Sequence, residues 1–483
     1  MEIQEKYELV IGLEVHAQLR TQAKAFAPEV ASYGDLPNTN ISVVTLAHPG
    51  VLPKVNKKTF DYAIRMGLAL NCEITPYTIF ARKNYFYPDL PKGYQITQDK
   101  TPICKNGKLL INVKEQNNRQ KWIGITRIHI EEDAGKSLHI EGFDESFIDL
   151  NRAGVPLIEI VSEPDIRTPE EAYWYLYEIR KLVRYLDICD GNMEEGSLRC
   201  DVNVSVRLRG TGKFGTRVEV KNLNSFTNVK RAIEYEFKRQ TELLEKGESF
   251  PQETRMFDAT TGETYSLRTK ETLNDYRYFP EPDLAPVLVD KAWIERIRAE
   301  MPALPRQLYD KFTQSYGLND YDASQLTDEK PTALYFEEVC KFTKNKKAAA
   351  NWILGAVRAY LNELTMDITE FPISAENLAG LINLIDEGKI NNNIGKQVFA
   401  KMLENPTKTA LQIAQEENLV VESNENELLG LVKQVLGKYP EKVEEYKKGK
   451  KGLLGLFVGE VMKATGGKAD PKLTNQLLMK ELS

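Results

Sequence analysis

Up to about Leu288 the chain is dominated by segments in which apolar and polar residues alternate. In Val10–Leu19, Ile11, Leu13, Val15, Ala17 and Leu19 fall on one face, with Glu14, His16 and Gln18 on the other. That period of two predicts a half-buried strand. Leu198–Arg207 repeats the design, with Leu198, Cys200, Val202, Val204 and Val206 opposite Arg199, Asp201, Asn203, Ser205 and Arg207. Thr216–Lys221 sets Val218 and Val220 against Arg217, Glu219 and Lys221, and Trp122–Glu132 and Leu157–Val161 predict further strands. Two helices interrupt them. One follows Thr168-Pro169-Glu170-Glu171, which supplies an N-cap, a first-turn proline and acids near the positive end of the helix dipole. The other spans about Ser225 to Lys246 and stops at Gly247. Strands and helices mixed without regular β-α alternation predict an α+β domain with a largely antiparallel sheet.

The proline-rich stretch Asp275–Pro286 closes this pattern, and beyond it the period is helical, as in Ala348–Leu364 and Ala375–Ile385. A break at Asn405-Pro406 precedes a tail, Asn424–Leu482, that reads as short helices punctuated by Gly437, Gly449, Gly466-Gly467 and Pro471. At 483 residues the chain exceeds one typical core. The expected domains are residues 1–293, an all-α domain over 294–405 and a helical tail over 406–483.

Composition changes this picture little. Cys72, Cys104, Cys189, Cys200 and Cys340 are dispersed with no C-x-x-C pair, which argues against a disulfide framework or a zinc knuckle. No apolar run is long enough for a membrane span, and the acidic start Met1-Glu2-Ile3-Gln4-Glu5 resembles no targeting peptide; the expected location is cytoplasmic, away from membranes. The net charge of −6 does not advertise nucleic-acid binding, yet from Lys433 onward eleven lysines face six acids.

Two nucleotide-binding patterns are decoys. Gly210-Thr-Gly212-Lys-Phe-Gly215 joins two alternating strands, whereas a dinucleotide fingerprint must pass from strand into helix. Gly135-Lys136-Ser137 lacks the leading glycine of a P-loop and follows Glu131, Glu132 and Asp133. The better signal is polar residues projecting from strands: Glu14 and His16 on the first, Glu131 and Glu132 at the end of another, and Glu159 within Leu157-Ile158-Glu159-Ile160-Val161. A carboxylate in such a run needs a partner or a metal. Oxygen ligands suit a hard cation, Mg²⁺ above all. Arg82, Lys83, Arg199 and Lys221 could hold phosphates, although Arg199, Asp201, Glu219 and Lys221 read equally as plain cross-strand ion pairs.

Longer stretches carry a resemblance. Val10-Ile-Gly-Leu-Glu14-Val-His16 resembles the opening strand of the GatB/GatE family. So do Phe80-Ala-Arg-Lys83-Asn-Tyr-Phe-Tyr-Pro-Asp-Leu-Pro-Lys-Gly-Tyr-Gln95 and His129-Ile-Glu131-Glu132-Asp133-Ala-Gly-Lys136. Further matches are Asp149-Leu-Asn-Arg152 through Asp165, Gly191-Asn-Met through Asn203, Glu219-Val-Lys221-Asn222, and Asp275-Tyr-Arg-Tyr-Phe-Pro-Glu-Pro-Asp283. The helical ending is similar to the small YqeY-type proteins.

The resemblance implies a cradle similar to the glutamine synthetase/guanido kinase fold. It implies ATP-dependent phosphorylation of the side-chain carboxylate of misacylated Glu-tRNA(Gln) or Asp-tRNA(Asn), then amidation by ammonia. Glu14, His16, Glu132 and Glu159 resemble that family's catalytic Mg²⁺/ATP cluster, and Lys83, Arg199 and Lys221 are candidate phosphate or substrate clamps. Many family members carry four cysteines near the start; the corresponding positions here are Ala27, Glu29, Ser42 and Thr45, so no zinc is expected. The chain has no glycine/serine-rich amidase signature and no Cys–His pair for glutamine hydrolysis. Ammonia therefore implies a GatA-type amidase partner, accompanied by a small protein of the GatC type. In the tail, Lys451, Lys463, Lys468 and Lys472 are the expected tRNA contacts. The alternative is a non-catalytic tRNA-binding scaffold.

Overall fold

The computed structural model describes residues 3–140, 142–269, 276–420, 425–466, 469 and 471–482. The chain divides into two compact units, Met1–Leu304 and Pro305–Ser483.

The first unit is built on a nine-stranded sheet. In chain order its strands are β1 (Tyr7–Gln18), β2 (Glu73–Ile74), β3 (Cys104–Val113), β4 (Arg119–Glu132), β5 (Pro156–Ser162), β6 (Leu198–Leu208), β7 (Val218–Lys221), β8 (Glu253–Asp258) and β9 (Glu263–Thr269). Across the sheet they lie in the order β9-β8-β7-β6-β1-β5-β4-β3-β2. Every neighbouring pair is antiparallel except β7 and β8. The sheet is thus mixed but largely antiparallel, and with its helices the unit is α+β.

One face of the sheet is dry. Leu13, Val15 and Ala17 of β1, Ile128 and Ile130 of β4, Ile158 and Ile160 of β5, and Val202 and Val204 of β6 are buried there. Helices α1 (Lys57–Ala69), α2 (Pro169–Tyr185) and α3 (Phe226–Glu245) cover that face. Thr168 accepts from the Glu171 N–H at the start of α2, Pro169 fills its first turn, and Ser225 accepts from Asn228 N–H at the start of α3. Gly247, at φ +75°, follows the end of α3. The sequence pattern predicts no helix at Lys57–Ala69. Its buried face, which sets Phe60, Ile64 and Met66 among Thr59, Ala63 and Gly67, does follow a helical period, but with few large apolar residues to mark it.

The glycine decoys resolve as the strand pattern requires. Gly210–Gly215 lies in the connection between antiparallel β6 and β7, and Lys136 opens a short strand, Lys136–His139, with no helix behind it. A helix past the proline-rich stretch, α4 (Lys291–Glu300), still belongs to the first unit: Trp293 donates to Asp61 at 2.7 Å and Ile297 joins the main core.

The second unit is helical. Lys346–Leu364 is one helical run with a widened π turn at Ile353–Val357, and the next predicted helix spans Ala375–Asp386. The tail contains Glu425–Lys438, Pro440–Lys447, Leu454–Ala464 and Pro471–Leu482, packed around Val432, Val435, Tyr446, Phe457, Val461, Leu477, Leu478 and Leu482. Gly437 is the last residue but one of the first of these helices, and the break follows at Tyr439-Pro440, where proline starts the next one. Among the described residues no helix is long and apolar enough to cross a membrane.

Candidate active site on the polar face of the sheet

Register decides which polar side chains meet. His16 lies directly opposite Glu159 on one side and Arg199 on the other, and Glu159 lies opposite His129. Glu14 lies opposite Asp201, and Asn203 opposite Glu219. All point away from the dry face, because residues two apart share a side of the pleat.

His16 Nε2 is 3.4 Å from Glu131 and 3.5 Å from Glu159, and His129 Nε2 is 3.0 Å from Glu159 and 3.6 Å from Glu131. Burial works against charge on both imidazoles. The two carboxylates outweigh it, raising His16 and pushing His129 up to about 9. Burial likewise opposes ionisation of Glu131 and Glu159, but the histidines hold both carboxylates below the ordinary range. Glu14 shifts the other way, raised by burial and by Glu159, while the Asn203 amide donates to it at 2.9 Å.

Two sets of donor atoms result, each within 4.8 Å: His16, Glu131 and Glu159, and Glu14, Asp201 and Glu219. The second set is oxygen only, the donor chemistry of a hard divalent ion, and its Glu14 and Asp201 are like charges directly opposite each other. The first offers one imidazole nitrogen beside two carboxylates.

The expected cations gather around them. Lys221 bonds Asp201 at 2.5 Å and Glu219 at 3.0 Å. Arg199 bonds Asp133 at 2.9 Å, an acid that also accepts from Gln18 at 2.8 Å. Lys83 is held charged, against its burial, by Glu131, Tyr278 and Glu159.

The structure corrects one expected ligand. Glu132 points to the opposite side of β4, where Lys92 Nζ contacts its two oxygens at 2.5 and 2.6 Å and the Ile96 N–H donates at 2.9 Å. It lines a cavity of about 190 Å³ with Phe26, Thr45, His48, Lys92 and Tyr94. Glu131, not Glu132, stands beside His16 and His129 on the polar face. The signal was present in the sequence, because Ile128 and Ile130 mark the core side and place His129 and Glu131 on the other. His129, Asp201, Glu219 and Asn203 are the further members of this face.

The loop bearing Ala27, Glu29, Ser42 and Thr45 is tied by polar contacts. Thr45 donates to Glu29, the Ser42 hydroxyl accepts from Val44 N–H at 3.1 Å, and buried Lys24 donates to the Asn40 carbonyl at 2.7 Å. Burial lowers Lys24 to about 8 although Glu29 lies 3.8 Å away. Gly154, at φ +84°, lets the next loop approach: an added Cβ would stand 3.3 Å from Lys24 Cδ.

In the tail Lys451 and Lys463 are exposed, Lys451 with its ammonium 4.2 Å from the Tyr446 ring centre. Lys472 is in the first turn of Pro471–Leu482, and Lys468 lies outside the described residues.

A family profile described as the GatB/GatE catalytic domain matches residues 9–295, spanning all nine strands but the first two residues of β1, and one described as a GatB domain matches 334–482. The chain belongs to the GatB/GatE family. Relatives in Thermodesulfovibrio yellowstonii and Chlorobium chlorochromatii are each 51% identical over 477 and 476 residues, covering 99% of both chains. One in Caldicellulosiruptor bescii is 50% identical over 480 residues, again covering 99% of both. Each of the three is named as the B component of an aspartyl/glutamyl-tRNA(Asn/Gln) amidotransferase.

Proposed function

We propose that this chain is the ATP-using, tRNA-holding subunit of a tRNA-dependent amidotransferase. It would phosphorylate the side-chain carboxylate of misacylated Glu-tRNA(Gln), Asp-tRNA(Asn) or both, then amidate it, an ATP-dependent carbon–nitrogen ligase reaction. The observation that carries the reading is the pair of acidic sets, His16–Glu131–Glu159 and Glu14–Asp201–Glu219, on one sheet face with Lys83, Arg199 and Lys221 around them. The open sheet fits a cradle of the glutamine synthetase type.

A carboxylate is a poor electrophile because its leaving group would be oxide. In this reading a side-chain oxygen attacks the γ-phosphorus of ATP and ADP leaves. Ammonia then attacks the acyl phosphate, and phosphate leaves with that oxygen. Such transfer depends on positioning and on charge placed in advance. The residues suited to hold Mg²⁺ are His16, Glu131, Glu159, Glu14, Asp201 and Glu219, and bound Mg²⁺ supplies positive charge to the phosphates. Lys83 and Lys221 neutralise charge beside these carboxylates, and Asp133 orients Arg199. Ammonia comes from a GatA-type amidase, with a GatC-type subunit completing a heterotrimer. The loop held by Lys24, Glu29 and Thr45 needs no zinc. The tail lysines meet tRNA phosphates.

The test is reconstitution with candidate amidase and small subunits, free ammonia replacing glutamine. ATP cleavage that requires misacylated tRNA and yields the amidated product supports the reading. Tight tRNA binding without ATP cleavage overturns it in favour of a scaffold.

A further inference from the structure

Next to the acidic face stands a group of aromatic rings that the phosphoryl chemistry leaves unused. Strand Ala81–Asn84 pairs with Phe279–Pro280, bringing two aromatic segments together. Tyr85 packs edge-on against Tyr87 and Tyr276, and Tyr276 against Tyr278, with ring centres 5.9–6.1 Å apart. Tyr87, Tyr278 and Phe279 nonetheless expose 57, 42 and 44% of their surface.

These rings are held firmly. Arg82 grips Glu281 through two bonds of 2.7 Å and reaches Asp283 at 3.0 Å. Asn84 donates through its amide to the carbonyls of Tyr276 and Arg277 at 3.1 and 2.9 Å. Exposed rings gathered into one patch mark an interaction surface. Cations accompany them: the Lys83 ammonium lies 4.9 Å from the Tyr276 ring centre and the Arg82 guanidinium 5.7 Å from that of Phe279. Lys83 also feels Glu131 and Glu159, so the rings stand one side chain from the candidate centre.

Exposed rings interleaved with cations are the surface on which unpaired bases stack, in a way tolerant of sequence. The proposed substrate carries its amino acid on the last ribose of an unpaired RNA end. Its carboxylate reaches Glu131 and Glu159 only if the terminal nucleotides lie within one aminoacyl length of them. We infer that Tyr87, Tyr278 and Phe279, backed by Tyr85 and Tyr276, are the stacking seat for the single-stranded 3′ end of the charged tRNA. The inference rests on the proposed function for its substrate, and the rings themselves rest on the fold alone.

The test uses the chain assembled with its partner subunits, as wild type, Tyr87→Ala, Tyr278→Ala and Tyr278→Phe. Binding of the trinucleotide CCA is titrated, and KM is measured for misacylated tRNA and for ATP. Each alanine variant is expected to weaken trinucleotide binding and raise KM for the tRNA by about tenfold. KM for ATP stays within about twofold, and Tyr278→Phe, which keeps its ring, behaves as wild type. Unchanged trinucleotide binding overturns the inference. So does a rise in KM for ATP alone, which would assign the rings to the adenine of the nucleotide, or loss of subunit assembly, which would assign them to a protein interface. Should the wild-type complex catalyse nothing, the proposed function fails, while the titration still decides the seat.

Discussion

At the residue scale, adjacent carboxylates on one strand are committed to opposite environments. Glu131 faces two histidines and Glu159, whereas Glu132 faces Lys92 behind the sheet. Both substitutions to Gln weaken buried ion pairs and should lower stability in chemical denaturation, by on the order of 3 kcal/mol for Glu132→Gln. Only Glu131→Gln should also lower transamidation by the folded enzyme more than about 100-fold, roughly 3 kcal/mol of transition-state stabilisation. Lys24 gives a prediction with a sign. Its folded value near 8 lies below the unfolded 10.5, so between those values the unfolded chain binds the extra proton and stability rises with pH. The stability of wild type relative to Lys24→Met should climb by on the order of 3 kcal/mol from pH 8 to 10.5, and a flat difference would contradict a buried amine at that site. Much of the site was legible from alternation alone: Glu14, His16, Arg199 and Lys221 share faces as their period of two requires. The choice between Glu131 and Glu132 was also written there, in Ile128 and Ile130. Which side of β4 meets Glu159 is fixed by register, and that is a property of two strands together.

At the element scale, the strands and capped helices were readable because local chemistry and burial agree. Thr168 and Ser225 each satisfy a helix N–H that would otherwise be open. Thr168→Ala should lower stability by about 1 kcal/mol, seen in the urea midpoint, with KM for ATP unchanged. Helix α1 escaped notice because half its buried face is small or polar, so its helicity comes from packing against the sheet and against Trp293 of α4. Gly437 marks the end of its helix to within one residue, since that helix closes at Lys438 before Pro440 opens the next. The loop at Gly210–Gly215 shows that a phosphate motif is a statement about the elements on either side.

At the scale of the molecule, the proposed function gives phosphate chemistry to the acidic sheet face and RNA phosphate binding to the lysine-rich helical tail. Lys451→Glu with Lys463→Glu should raise KM for misacylated tRNA, leave KM for ATP alone, and reduce the salt slope of tRNA binding by about one for each phosphate no longer neutralised. An unchanged slope would return both lysines to solvated helix surface. If the sheet carboxylates serve the phosphorylation of a substrate carboxylate, an isotope measurement reads that role directly. The side-chain carboxylate of the tRNA-bound amino acid is labelled with ¹⁸O, and the inorganic phosphate released on amidation is analysed in the reconstituted enzyme. One labelled oxygen should appear in phosphate per amide formed, and both products should be lost in Glu159→Gln. Unlabelled phosphate, or labelled phosphate formed as fast by Glu159→Gln as by wild type, would contradict that role.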